Sequence, residues 1–323
     1  MKTGFSAFGL VLSLFVTAVS ASPDVWQREW PETNFEKTTI TDWSEIISGG
    51  PPKDGIPALS DPAFINVADE DRIGGREPII TVEIDNATPR AYPIRYLTYH
   101  EIVNDVVGGV PIAVTFCPLC NLGITFDRRV DDAVLEFGVS GKLRRSDMIM
   151  FDRQTQSWWQ QAIGKAVVGE LTDTELKRLP TWMESWDEFK SRNPDGLVMA
   201  KPAYERNYGR NPYVRYDSAE RPFLYRGQNP PHDIPPLARV VTIDEQAWPL
   251  TRLADEGRIE EAGYVLSWSA GQASALDTAT IADARDVGSV RVRNTAGDDV
   301  VHEVMFAFAF HAFWPEGEWM LGE

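Results

Sequence analysis

The sequence predicts an α+β protein: a mainly antiparallel β core with a few short helices and long irregular segments. Short apolar runs rich in Val, Ile, Phe and Tyr recur roughly every 10–15 residues between positions 78 and 151, separated by turn chemistry. Helical signatures with recognisable start and stop residues are few. The stretch from 201 to 236 carries seven prolines, five tyrosines and five arginines without a strand or helix period.

In chain order, Lys2, the apolar run Phe8 to Val19 and the small residues Val19-Ser20-Ala21 read as a secretory signal over residues 1–21. That run is shorter than the roughly 20 residues a membrane span needs. Retained, it would act as an anchor; cleaved, it leaves a secreted or periplasmic protein with no transmembrane segment. Residues 22–75 are polar and rich in Pro and Gly, with Trp26, Trp30, Trp43 and Phe64 as anchors. They predict an irregular arm packed on the core, and residues 76–323 a single domain. A composition of 43% hydrophobic residues with 11 tryptophans supports a substantial core. The formal charge of −17 excludes nucleic-acid binding through bulk electrostatics.

Strands are expected at 79–84, 91–97, 110–117, 122–130, 134–139 and 148–151. A helix is expected from Thr181, which with Glu184 forms a capping box, to the stop at Pro194 and Gly196. Pro249 to Glu256 predicts a shorter helix ended by Gly257. Val304 to Trp314 reads as a strand apolar on both faces, with Phe306, Phe308, Phe310 and Trp314 on one side and His311 on the other. The proline- and tyrosine-rich 201–236 excursion suits a lid, an anion-binding wall or a surface arm.

The chemistry concentrates at Cys117-Pro118-Leu119-Cys120, which holds both cysteines of the chain. As a staple, a disulfide closing four residues contributes only about 2 kcal/mol on chain entropy, against nearly 5 for a loop of about a hundred. Thiol–disulfide exchange suits the spacing better, although a strand follows the motif where thioredoxins place a helix. Alternatively, the two thiolates form half of a metal site for a copper or zinc ion, completed by His100 or His311. A third reading is a catalytic Cys117 with His100 as base and Glu101 or Asp127 to orient it. Ser140, Lys142, Arg144, Arg145, Ser146 and Asp147 form a polar loop beside the site, and Asp152, Trp158, Trp159 and Gln160 are candidate pocket residues. The competing function is a non-enzymatic binding module using the 201–236 segment. A small-molecule, metal or protein partner each fits these residues.

Several separated phrases stand in a familiar order: Ala91-Tyr92-Pro93, His100-Glu101-Ile102-Val103-Asn104-Asp105, Phe116-Cys117-Pro118-Leu119-Cys120, Phe137-Gly138-Val139-Ser140-Gly141-Lys142-Leu143, Ser157-Trp158-Trp159-Gln160-Gln161, Gly209-Arg210-Asn211-Pro212-Tyr213 and Phe306-Ala307-Phe308-Ala309-Phe310-His311. Together they resemble the prokaryotic domain-of-unknown-function family 3179 from about residue 45 onward. The resemblance implies one family-sized, exported domain, and it carries no reaction or ligand with it.

Overall fold

A computed structural model describes residues 23–322, so the expected leader at 1–21 lies outside the described residues. Among them, three five-stranded sheets, a four-stranded sheet and a three-stranded sheet carry the fold, with a two-stranded ribbon and five short helices. Most neighbouring strands run antiparallel. Parallel pairs join Leu59–Ser60 to Ile102–Val107, Leu197–Met199 to Arg90–Pro93, and Gln246–Pro249 to Glu318–Trp319.

Two sheets place the site. In the first, Val110–Cys117 lies between Ile102–Val107 and Leu122–Asp127, each pairing antiparallel. All three strands are buried almost throughout, which is why they read as apolar runs rather than strict alternations. In the second, Phe137–Arg144, Asp147–Asp152, Trp158–Gln160 and Lys165–Val168 follow one another as a meander. Arg145 and Ser146, both at positive φ (54° and 66°), form its first hairpin turn. Consecutive left-handed residues match the twist of a two-residue hairpin, but they strain side chains larger than glycine. Side-chain bonds hold them: Arg145 Nη1 donates to Ala312 O and Ser146 Oγ donates to Phe223 O, each at 2.5 Å.

The N-terminal segment packs through its aromatics. Trp26, Trp30 and Phe35 meet the Trp158 ring edge-on at centroid distances of 6.5, 5.3 and 5.3 Å. Ile46–Ser48 then adds a strand beside Phe137–Arg144. Glu29 binds Lys142 at 2.7 Å, and the Lys142 ammonium sits 4.8 Å from the Trp26 ring centroid.

Three element expectations require correction. The 91–97 strand stops at Pro93, and Ile94–His100 is a helix burying Ile94, Leu97 and His100. Thr181–Ser185 is a strand paired with Pro78–Val82, and the helix starts at Trp186. Its cap is Ser185, whose Oγ accepts from Glu188 N at 3.3 Å, four residues beyond the expected cap at Thr181, while the Ser185 amide donates to Ser289 Oγ at 3.2 Å. Val304–Trp314 is likewise divided: Glu303–Phe306 is a strand and Ala307–Phe313 a helix. An alternation of Phe and Ala fits both periods. The two amides at the change of structure are satisfied by Ala238 O and Pro236 O, at 2.8 and 2.9 Å. The helix expected at 249–256 is present as Leu250–Glu256, ended by Gly257 at φ +70°.

Candidate functional site

Cys117 ends its strand and Pro118–Cys120 makes a single 3₁₀ turn, with Pro118 at its first position, where no amide donor is needed. Asn121 takes the left-handed conformation (φ 51°) that lets the chain reverse into Leu122–Asp127. The turn sets the two sulfurs side by side. Neither is in a disulfide, and both are buried.

The third member comes from the other sheet. Asp147, first residue of its strand and 0% exposed, brings a carboxylate oxygen to the cysteines, the three ligand atoms lying within 4.8 Å of one another. Asp147 Oδ2 accepts from Gln160 Nε2 at 2.6 Å and from Ala162 N at 2.9 Å, which fixes the carboxyl's position. Its other oxygen, Oδ1, is buried and has no hydrogen-bond partner among the described residues. The Cys120 thiol donates to Ser146 O at 3.6 Å, tying the cysteine turn to the Arg145-Ser146 hairpin.

Burial governs the charges here. It pushes the thiols of Cys117 and Cys120 up, Cys120 well above its ordinary value, and the nearby Asp147 carboxyl adds to the effect. The same desolvation raises Asp147 to about 6, against the lowering bonds from Ala162 and Gln160. Two thiols and a carboxyl are thus packed where no cation among the described residues compensates their ionised forms.

Glu101 stands nearby, at φ 59°, where the chain leaves the Ile94–His100 helix. Burial, then the neighbouring Asp147 carboxyl, raises it to about 8. Its ordinary value is 4.5, so the folded chain holds a proton on Glu101 that the unfolded chain releases. Stability of metal-free protein is therefore expected to fall as pH rises between about 4.5 and 8, each retained proton contributing up to about 1.4 kcal/mol per pH unit. Chemical denaturation of chelator-treated protein across that range should show a shallower slope for Glu101→Gln; an unchanged slope would place the titrating group elsewhere.

Glu101 and Cys117 open onto a cavity of about 480 Å³. Leu119, Val139 and Met148 line it from the two sheets, and Tyr213, Tyr216 and Phe223 from the 201–236 excursion. The excursion therefore covers the cysteines. Tyr216 OH donates to Leu119 O at 2.8 Å, inside the Cys-x-x-Cys turn. Asp217 accepts from the buried Arg239 at 3.2 Å and from Ser274 Oγ at 2.5 Å, and Arg239 also reaches Asn121 Oδ1 at 3.4 Å.

A sequence profile of a family described as a protein of unknown function, DUF3179, matches residues 53–317. The chain belongs to the DUF3179 family. The match covers the cysteine hairpin, the Asp147 strand and the covering excursion, and it begins inside the 22–75 segment. No curated protein and no solved structure matches this DUF3179 chain. No helix among its described residues is long and apolar enough to cross a membrane.

Of the residues singled out in sequence, the DUF3179 fold brings Cys117, Cys120 and Glu101 to one place and puts Gln160 behind Asp147. His100 is directed elsewhere: Nδ1 donates to Pro57 O at 2.7 Å and Nε2 is 2.6 Å from Tyr208 OH, so both ring nitrogens are occupied. His311 lies on the Ala307–Phe313 helix rather than a buried strand, and it lines a separate cavity with Arg145 and Tyr225. Ser140 bonds Ile149 O and Lys142 N across a bulge in its own strand pair. Lys142 lines the cavity but is paired with Glu29. Asp152 accepts from Trp159 Nε1 and Thr155, closing its hairpin, and Trp158 anchors the N-terminal aromatics. Asp147 is the residue missing from the sequence-based ligand sets. Its signal was weak: a carboxylate at the end of a polar turn, 27 positions beyond Cys120.

Proposed function

We propose that this chain is an exported zinc protein in which Cys117, Cys120 and Asp147 hold one ion at the base of the covered cavity. The carrying observation is the cluster itself: two thiols and a carboxyl, all buried, within 4.8 Å, with Asp147 Oδ1 unpartnered. A buried polar atom with no partner is uncommon and calls for an explanation. A cation supplies it, since a divalent ion would offset two of the three negative charges of the ionised ligands. Two sulfurs with a carboxylate oxygen suit zinc, whereas copper(I) favours soft donors throughout. Three protein ligands is also the count of catalytic zinc sites, which keep a fourth position for water or substrate. A zinc ion there would polarise a carbonyl or lower the pKa of bound water. Glu101, on the cavity wall, would hold or accept the proton. The apolar run at residues 8–19 supports export.

Gln160 serves this reading by orienting Asp147. Gln160→Ala is expected to weaken zinc binding by roughly 10–100-fold, as loss of an outer-shell partner does, measured by competition with a chromogenic chelator.

Protein purified from its own compartment tests the proposal through metal content and thiol titration. One equivalent of zinc, with both thiols unreactive until the protein is denatured in chelator, is the expected result. A Cys117–Cys120 disulfide with no zinc uptake after reduction would replace the metal reading with thiol redox chemistry.

A further inference from the structure

The outer face of the segment that covers the cysteines differs from the rest of the surface. Acids outnumber Lys and Arg in this chain by 48 to 31. Yet all six Lys and Arg side chains between residues 201 and 236 are exposed, and among the described residues none of them is in an ion pair. Elsewhere even exposed arginines such as Arg129 and Arg258 have a carboxylate partner. Arg215, Arg221 and Arg226 make no side-chain hydrogen bond to the described residues either. Of the segment's four acids, Asp217 is taken by Arg239 and Arg285 from outside it, which leaves Glu205, Glu220 and Asp233 against six cations. Apolar groups stand among these cations. Phe223 is 56% exposed and Val214 49%, and Phe223 and Tyr204 are the exposed large aromatics among the described residues. Val214, Arg215 and Phe223 also border the 480 Å³ cavity, so cations and apolar side chains share its mouth. Bonds from beneath fix this platform: Tyr216 OH donates to Leu119 O at 2.8 Å, and Asn211 Nδ2 donates to Thr278 O at 3.1 Å.

We propose that this face docks on an anionic lipid bilayer, with Arg215, Arg221 and Arg226 on the headgroup phosphates and Phe223 and Val214 at the acyl boundary. A bilayer surface takes both kinds of side chain at once. Guanidinium forks pair with phosphate oxygens, and apolar side chains leave water for the edge of the hydrocarbon. A polynucleotide would satisfy the arginines but offer Val214 no apolar surface. The formal charge of −17 does not oppose the contact. Only charges within a Debye length, about 8 Å at physiological ionic strength, act through it. Docked in this way, the cavity's mouth faces lipid, and an apolar molecule passes between bilayer and cavity without crossing water. The docking face needs no zinc, so it stands apart from the metal reading.

The test sediments protein purified from its own compartment with two kinds of vesicle, phosphatidylcholine alone and a phosphatidylcholine–phosphatidylglycerol mixture. The expected result is saturable binding to the mixture, at least about tenfold tighter than to phosphatidylcholine alone and lost as sodium chloride is raised. Arg215→Gln/Arg221→Gln/Arg226→Gln should weaken binding to the mixture about 100-fold, roughly fivefold for each arginine. Phe223→Ser should weaken it about tenfold and leave the salt dependence in place. A retained N-terminal anchor would instead bind both kinds of vesicle equally and ignore these substitutions. Equal binding to the two, binding indifferent to salt, or an arginine variant within about twofold of the unaltered protein overturns the proposal. The lipid and salt dependence of the unaltered protein decides the matter even if a variant fails to fold. Zinc content measured on the same samples separates the two readings. Zinc without vesicle binding removes the docking face and leaves the metal centre, and vesicle binding without zinc does the reverse.

Discussion

Cys117→Ser is expected to abolish stoichiometric zinc binding and with it the thermal stabilisation that zinc confers. A serine hydroxyl does not ionise near neutral pH, so the exchange removes one of three charged ligands while altering little volume. The loss should exceed the roughly 10–100-fold expected for an outer-shell partner such as Gln160. Zinc at a hundred times its dissociation constant adds about 2.7 kcal/mol to the protein that binds it. For a chain of this size that corresponds to a rise in Tm of about 4 °C. Cys117→Ser should show none of it, and Asp147→Asn should fail in the same way, because an amide oxygen brings no charge to the cluster. Differential scanning calorimetry with and without zinc reads the effect directly. A variant that keeps the full zinc-dependent rise would place the ion elsewhere in the molecule.

Trp158→Ala is expected to give the largest loss of stability, about 3–5 kcal/mol, the range for deleting a fully buried tryptophan. Trp158 is 0% exposed, and the rings of Trp26, Trp30 and Phe35 converge on it. Removing the ring takes away the surface against which the N-terminal segment is seated, so the cost falls on that segment as well as on the sheet. Denaturant unfolding would measure the loss, and limited proteolysis should show new cleavage between residues 23 and 45. A loss below about 1 kcal/mol with that segment still protected would contradict the packing account. Release of the segment would also free Lys142 from Glu29, placing an unpaired ammonium on the cavity wall.

The parts of this fold that could be read in the sequence are those set by neighbours in the chain. Val110–Cys117 and Leu122–Asp127 announce themselves as apolar runs around a tight Cys-Pro-Leu-Cys step, and the hairpin forms where that pattern puts it. The Leu250–Glu256 helix is similarly local, fixed by Pro249 and Gly257. Legibility fails where the chain's partners are distant. Thr181–Ser185 carries a helix-start pattern, yet the edge of Pro78–Val82 draws it into a sheet. The Phe-Ala alternation from 306 to 310 satisfies a strand period until the segment meets Pro236 and Ala238.

The site divides along the same line. Cys117 and Cys120 are visible because they are three positions apart and alone of their kind. Asp147 reaches them only because two sheets pack against each other, and nothing in its immediate sequence distinguishes it from a solvated turn residue. His100 shows the converse: a histidine close to the cysteines in sequence and buried, but with both nitrogens spent on Pro57 and Tyr208. The 201–236 excursion, readable either as a lid or as a surface arm, lies over the cysteines because Tyr216 and Asp217 fasten it to Leu119 and Arg239.

X-ray absorption at the zinc edge of the reconstituted protein tests the central claim most directly. The expected spectrum has two sulfur scatterers at about 2.3 Å and oxygen or nitrogen scatterers at about 2.0–2.2 Å, and it loses one sulfur or the whole signal in Cys117→Ser. A first shell of oxygen and nitrogen alone, unchanged by that substitution, would show that the cysteines and Asp147 do not hold the ion.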